Sequence, residues 1–250
     1  MKLTILLQEI STPGNLGAIA RVMANFEVNN LTLVNPQTDK NDLEEIKRAK
    51  HSQIILKNAK IVPEVNTDDF DYLIGTTSKL GRDYNLKRSP ITIKQLASKL
   101  GLLAKKINTS KNTLKNNIRI GLWIGREGDG LTNEEIKKCD ILVSIPASKK
   151  YPALNISHAV GIMLYELFQA NILDQDSKST VKTTDNFISA TRTDLNVAYT
   201  IITNVLKNIK FATPEKRETQ QILWKKVLGK SMLTKRESMA LIGFFKKLLK

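Results

Sequence analysis

The sequence predicts an α/β protein, a parallel sheet with helices on both faces, followed by a helical C-terminal extension. Three observations predict it. Short apolar runs rich in β-branched residues recur along the N-terminal part, and stretches of helical periodicity separate them. A polar segment, 174–186, then breaks the apolar pattern. The remaining residues carry helical spacing and most of the net charge.

The expected strands are Leu3–Leu7, Leu31–Val34, Tyr72–Ile74, Ile118–Ile124 and Ile141–Ile145. These runs are mostly apolar rather than alternating, which is the pattern of parallel strands buried on both faces. Ile19, Val22, Met23 and Phe26 form an i, i+3, i+4, i+7 stripe, as do Ile156, Val160, Met163, Leu164 and Leu167 at similar spacing. Residues 1–173 are therefore read as one α/β domain. Residues 174–186 hold Val181 as their single apolar side chain and read as a solvated linker. Residues 187–250 form the extension, with apolar positions at Ile222, Leu223, Val227 and Leu228, then Met239, Leu241, Ile242, Phe245, Leu248 and Leu249. Thirteen Lys and Arg against four Asp and Glu place +9 of the chain's +15 there. So basic a helical segment reads as an RNA-contacting arm or as a helix packed on a partner subunit. Lys225, Lys226 and Lys230 are its expected RNA contacts.

Composition narrows the function classes. In 250 residues, 41% hydrophobic content is enough for a real core. A formal charge of +15 points to a polyanionic partner, without separating RNA from DNA or an acidic membrane. Cys139 is the only cysteine, so an internal disulfide framework and a cysteine zinc cluster are excluded. With His51 and His158 as the only histidines, no protein-built metal site is expected. The apolar run before Glu9 spans five residues, too short for a signal peptide. No segment approaches the roughly 20 apolar residues of a membrane helix. A cytoplasmic protein is expected.

Three clusters carry candidate chemistry, each after a strand. Thr12–Arg21 holds a Pro-Gly turn, Asn15 in an expected helix-capping position, and Gly17 and Arg21 four residues apart on one helix face. Arg21 lies about 140° from the apolar stripe, so it projects from the helix beside the strand ends where open α/β sheets bind ligands. Gly125–Thr132 follows a buried strand with three glycines, and Thr132 with Glu135 forms a capping box. Its acid, Glu127, is placed to bind a ligand or hold the loop. The spacing is neither G-x-G-x-x-G nor a P-loop, which disfavours phosphates bound in those ways. Ile145–His158 runs from a strand end through Lys149 and Lys150 to a long helix capped by Asn155 or Ser157. Gly75-Thr76-Thr77-Ser78 adds small polar groups at the same edge.

The ordered set Asn15-x-Gly17-x-x-x-Arg21, Ile124-Gly125-Arg126-Glu127-x-x-Gly130-Leu131-Thr132, then Ile145-Pro146 and Leu154-Asn155-Ile156-Ser157, resembles the three motifs of the SPOUT superfamily of RNA 2′-O-methyltransferases, in its TrmH/TrmJ-like branch. Gly75–Ser78, Leu131–Glu135 and the tail Arg236-Glu237 through Leu241-Ile242-Gly243 match the TrmJ-like members. The resemblance covers nearly the whole chain. It implies a trefoil knot in the C-terminal half of the catalytic domain, with S-adenosylmethionine bent inside it and held mainly by backbone groups. It also implies a homodimer with the active site at the subunit interface. Cofactor contacts would come from Thr76, Thr77, Ser78, Gly125, Ile145, Ala153, Leu154 and Asn155. The reaction centre would be lined by Asn15, Arg21, Glu127 and Asn155. The implied substrate is tRNA, at the ribose of position 32 in the anticodon loop.

This sequence departs from the family at Ala153, where a serine is usual. A backbone contact to the cofactor would leave the change silent. The family's proposed base is Arg21, yet a guanidinium stays protonated at neutral pH. Arg21 is therefore expected to bind the adjacent phosphate and stabilise developing oxyanion charge. The competing expectation is a non-catalytic RNA-binding protein that keeps the fold. A Rossmann-type enzyme is set aside because the first turn lacks its glycine pattern.

Overall fold

In a computed structural model of the chain, the described residues are 1–78, 90–109, 118–148, 150–170 and 188–249, with backbone only at 105–109. The segment read as a linker, its boundary at 173, and Lys149 lie outside them.

Seven strands form one sheet: β1 (Lys2–Gln8), β2 (Asn30–Val34), β3 (Lys60–Val62), β4 (Tyr72–Thr76), β5 (Ile91–Thr92), β6 (Arg119–Ile124) and β7 (Ile141–Ser144). Their order is β3-β2-β1-β6-β4-β7-β5, and every pair is parallel. The five expected strands are present. The two edge strands were not anticipated. Ile61 in β3 is 59% exposed and β5 has two residues, so neither needs the continuous apolar run that marks a buried strand.

The period of two divides the side chains between two cores. Leu3, Ile5 and Leu7 of β1, Tyr72 and Ile74 of β4, and Ile141 and Val143 of β7 enter the larger core. Leu6, Leu73, Trp123 and Leu142, from the intervening positions, enter the smaller one. Helices α1 (Asn15–Asn25), α4 (Ile93–Thr109) and α6 (Ile156–Gln169) cover the larger core, together with α2 (Leu43–Ala49) and α3 (Gln53–Asn58), which pack on α1. The smaller core is closed by Ile136 of α5 (Asn133–Lys138) and by Val65 and Phe70. Both faces of the sheet are thus covered, as expected.

Helices α7 (Arg192–Asn208), α8 (Pro214–Ser231) and α9 (Lys235–Lys247) build a third core around Ile202, Leu206, Leu228, Ile242 and Phe245. The stripes read from the sequence are only half buried here. Leu228, Ile242 and Phe245 go inside, while Val227, Met239 and Leu248 stay exposed.

This helical unit is fastened to the start of β7. Arg192, at the first turn of α7, gives Nη1 and Nη2 to the Asp140 carboxylate at 2.8 and 2.7 Å, and Nε to the Phe70 carbonyl at 2.9 Å. Two of the expected RNA lysines serve the same seam. Lys225 Nζ donates to the Lys137 carbonyl at 2.6 Å and Lys226 Nζ to the Cys139 carbonyl at 3.2 Å. Lys226 is buried, and burial pushes its ammonium down to about 8. These two cations cap the C-terminal carbonyls of α5 instead of facing solvent, which corrects the reading of them as RNA contacts. Lys230 is half-buried beside them.

Candidate active site

The C-terminal ends of β4, β6 and β7 converge on one cavity, and the N-terminal turns of α6 close its far side. It encloses 740 Å³ of space, its open mouth included. Thr76, Thr77 and Ser78 line it after β4, Gly125 and Glu127 after β6, and Ile145, Ala153 and Leu154 between β7 and α6. Every residue expected to touch a cofactor therefore meets at this cavity except Asn155, whose neighbour Ile156 lines it instead. Ala153 is an ordinary wall residue among them.

Local chemistry explains the shape. The Thr77 amide bonds the Val143 carbonyl at 2.9 Å and the Thr76 hydroxyl bonds the Trp123 carbonyl at 3.2 Å, tying the β4 end to both neighbouring strands. After β6 the chain doubles back, with Arg126 and Gly130 exchanging amide–carbonyl bonds at 3.2 and 3.1 Å. A side chain at Gly125 would collide with the Gly130 carbonyl carbon and the Leu131 nitrogen, so only glycine permits this close return.

Arg126 locks the loop. Its guanidinium gives Nε and Nη2 to Glu9 at 2.9 and 2.6 Å, and Nη1 and Nη2 to Glu135 at 3.0 and 2.9 Å. Glu9 reaches it from the end of β1 through a left-handed backbone, φ 46°. The hydrogen bond from Arg126 holds the Glu9 carboxyl down at about 2. Burial pushes the Glu135 carboxyl up, but the Arg126 and Thr132 bonds outweigh it and the net shift is downward. Thr132 and Glu135 also form the expected capping box on α5. The sequence reading left Arg126 without a role, passed over Glu9, and gave Glu135 only its place in the capping box. Nothing local announces a clamp whose partners are 117 and 9 residues away.

Glu127 turns the other way, onto the loop after β1. Its carboxylate accepts from the Ser11 amide at 3.3 Å, the Thr12 amide at 3.1 Å and Asn15 Nδ2 at 3.5 Å. Asn15 Oδ1 in turn accepts from Asn155 Nδ2 at 3.1 Å. Asn155 Oδ1 accepts from the Ser157 amide at 2.9 Å and the Ser157 hydroxyl at 2.7 Å, so Asn155 is the cap of α6, as expected. The result is a directed run, Ser157 to Asn155 to Asn15 to Glu127, whose last member borders the cavity.

The expected cap by Asn15 is not formed. Gly14 takes the cap position of α1 at φ 81°, without a side-chain cap bond, and Asn15 lies buried in the first turn. Its amide is thereby free for Glu127 and Asn155. Arg21 is the expected site residue that the fold does not bring into this run. It is exposed on the second turn of α1, and no hydrogen bond or ion pair holds it among the described residues.

Cys139 is buried and burial pushes its thiol up to about 12, which removes it as a nucleophile. The described residues contain no cluster of three His, Cys, Asp or Glu placed to hold a metal, and no helix long and apolar enough to cross a membrane.

The chain is similar to known proteins in sequence and in fold. The chain is 34% identical over 246 residues to a Methanocaldococcus jannaschii protein named tRNA (cytidine-2′-O-)-methyltransferase TrmJ, covering 98% of both chains. A probable methylase family protein from Haemophilus influenzae has a similar structure, with TM-score 0.62, 26% identity, and coverage of 98% of this chain and 95% of that one. The SpoU methyltransferase AviRb from Streptomyces viridochromogenes, solved with the cofactor AdoMet, shares the fold at TM-score 0.52 and 21% identity, over 68% of this chain and 61% of that one. The model of the SpoU rRNA methylase family matches residues 2–165, which span the whole sheet and the helix behind the cavity. The chain belongs to the SpoU rRNA methylase family.

Proposed function

We propose that this chain transfers a methyl group from S-adenosylmethionine to a ribose 2′-oxygen of tRNA, at position 32 of the anticodon loop. One observation carries the reading: Glu127 both borders the cavity and ends the hydrogen-bonded run through Asn15 and Asn155. A donor in the cavity then lies beside groups able to align a hydroxyl. The tRNA specificity in the name of the archaeal relative, which matches along its whole length, supports the substrate class.

The cavity fits this cofactor. Its lining pairs the small polar groups of Thr76, Thr77 and Ser78 with apolar walls at Ile124, Val143, Ile145 and Leu154, the mixture that small-molecule sites use. Thr76, Thr77, Ser78, Gly125, Ile145, Ala153 and Leu154 would hold it. When bound, S-adenosylmethionine supplies a sulfonium-borne methyl group to an oxygen aligned opposite the sulfur. Asn15 and Asn155 orient that oxygen, and Glu127 fixes Asn15. Arg21 binds the phosphate next to the ribose and offsets charge developing on the 2′-oxygen, with loss of the hydroxyl proton assisted by docked RNA.

The finer reading has the chain knotted and paired. The sheet order sets β6 and β7 on either side of β4, so the chain returns twice across the cofactor edge, which supports a trefoil knot there. A homodimer is supported by an apolar surface on α6, where Ile162, Tyr165 and Phe168 are 38, 50 and 39% exposed beside Phe26 of α1. A second copy on that surface would lie against the helix that carries Arg21. The basic helices α7–α9 are read as an extension that helps hold tRNA, and the cytoplasm as the site of action.

The test is mass spectrometry of tRNA nucleosides after incubation with the purified chain and labelled cofactor. A labelled 2′-O-methylnucleoside is expected. Cofactor binding without any labelled nucleoside would overturn the reading in favour of a non-catalytic RNA-binding protein.

A further inference from the structure

We propose that Glu45 is a positioning residue for the reaction centre: its buried carboxylate clamps the turn Gly14–Gly17 and thereby sets Asn15 against Asn155 and Glu127. The inference rests on the methyltransferase reading above. Glu45 belongs to α2 and is 0% exposed. Its Oε1 accepts from the Gly14 amide at 2.9 Å and from the Thr38 hydroxyl at 3.4 Å, and its Oε2 accepts from the Gly17 amide at 2.7 Å. No ion pair neutralises it among the described residues. It is compensated by those donors and by the positive end of α1.

The place of the clamp gives it meaning. The first amides of a helix normally take a cap from the residue just before it. Here the cap comes from a different helix, 28 to 31 residues away, and it brackets Asn15 on both sides. Asn15 is thus spared capping duty, and its amide is committed to Glu127 and Asn155. The fit leaves no slack, because a Cβ at Gly17 would overlap the backbone carbonyl of Glu45. All three groups facing the carboxylate are donors. A glutamine in its place would keep the volume but turn its own N–H groups toward one of the amides.

The test uses the full chain and a tRNA transcript, with Glu45→Gln, Glu45→Asp, Asn15→Ala and the Glu45→Gln/Asn15→Ala double variant. Misplacement of Asn15 should cost Glu45→Gln about 100-fold in kcat. Its cofactor Kd by calorimetry should stay within about threefold, since the cavity walls do not include α1. Glu45→Asp keeps the charge and should recover part of kcat. The double variant should be no slower than Asn15→Ala, because both changes act through one group. Additive losses, or wild-type kcat in Glu45→Gln, would overturn the proposal. Should Glu45→Gln fail to fold, Glu45→Asp alone decides, through lowered kcat at unchanged cofactor Kd or no change in either. If the wild-type chain transfers no methyl group, the methyltransferase reading falls instead. The Asn15 side-chain amide signals in NMR then judge Glu45: displacement in the variant upholds the clamp and identity with wild type refutes it.

Discussion

Replacing Arg126 by Met tests whether the clamp on the glycine loop shapes the proposed cofactor cavity or only stabilises the fold. The substitution removes four charged hydrogen bonds and leaves two carboxylates facing each other. Losing one partner of a fully buried pair costs about 3–5 kcal/mol. Here the Glu9 and Glu135 side chains are 29% and 15% exposed, so water reaches both once the guanidinium is gone. Glu135 also keeps its 2.7 Å bond from the Thr132 amide. The cost should therefore be smaller, about 2 kcal/mol. For a chain of this size that lowers the melting temperature by about 4–8 °C. The same guanidinium and its two carboxylates hold Gly125–Gly130 folded against the cavity, so part of the loss should appear in cofactor binding. About 1.4 kcal/mol of it corresponds to a tenfold weaker Kd. Differential scanning fluorimetry and titration calorimetry read the two quantities on one preparation. A lowered melting temperature with unchanged cofactor Kd would refute the claim that this clamp shapes the cavity.

Three further outcomes follow from the same geometry. Lys226→Met should lower the melting temperature by removing a cap on α5, yet leave the salt dependence of tRNA binding unaltered, as fluorescence anisotropy across a salt series would show. The Glu9 carboxyl is held below its usual value of 4.5, at about 2, so its contribution is fully present above pH 4.5 and is lost as pH falls toward 2. The melting-temperature gap between wild type and Arg126→Met should then narrow across that window in a pH series. Arg21→Ala should lose nearly all methyl transfer while binding the cofactor normally, measured by single-turnover transfer and calorimetry, because Arg21 is not among the residues lining the cavity.

The reach of the sequence is clearest at the strand ends. Motifs lying after three separate strands had to come together once those strands paired in parallel, because parallel strands end on one edge of the sheet. That is why the loops after these strands were expected at one edge, while the family resemblance picked out Thr76, Gly125, Ile145 and Leu154 among them, and the strand order β6-β4-β7 made those loops neighbours. The same reasoning fails for Asn15. Its position before a helix looks like a cap, and only the arrival of Glu45 from α2 frees it for Glu127 and Asn155. Charge counting likewise failed at Lys225 and Lys226. Composition reports that they are basic, not that α8 lies on the end of α5.

By itself the sequence determined the alternation of buried strands and amphipathic helices, the glycines that allow close turns, and the family. These are properties of local periodicity and of residue chemistry at short spacing. Tertiary structure alone decided which charged groups meet: Arg126 with Glu9 and Glu135, Arg192 with Asp140, and Glu45 with the turn of α1. A carboxylate carries no mark of its partner in the chain, because its pairing depends on where distant segments fold and how far water is excluded between them.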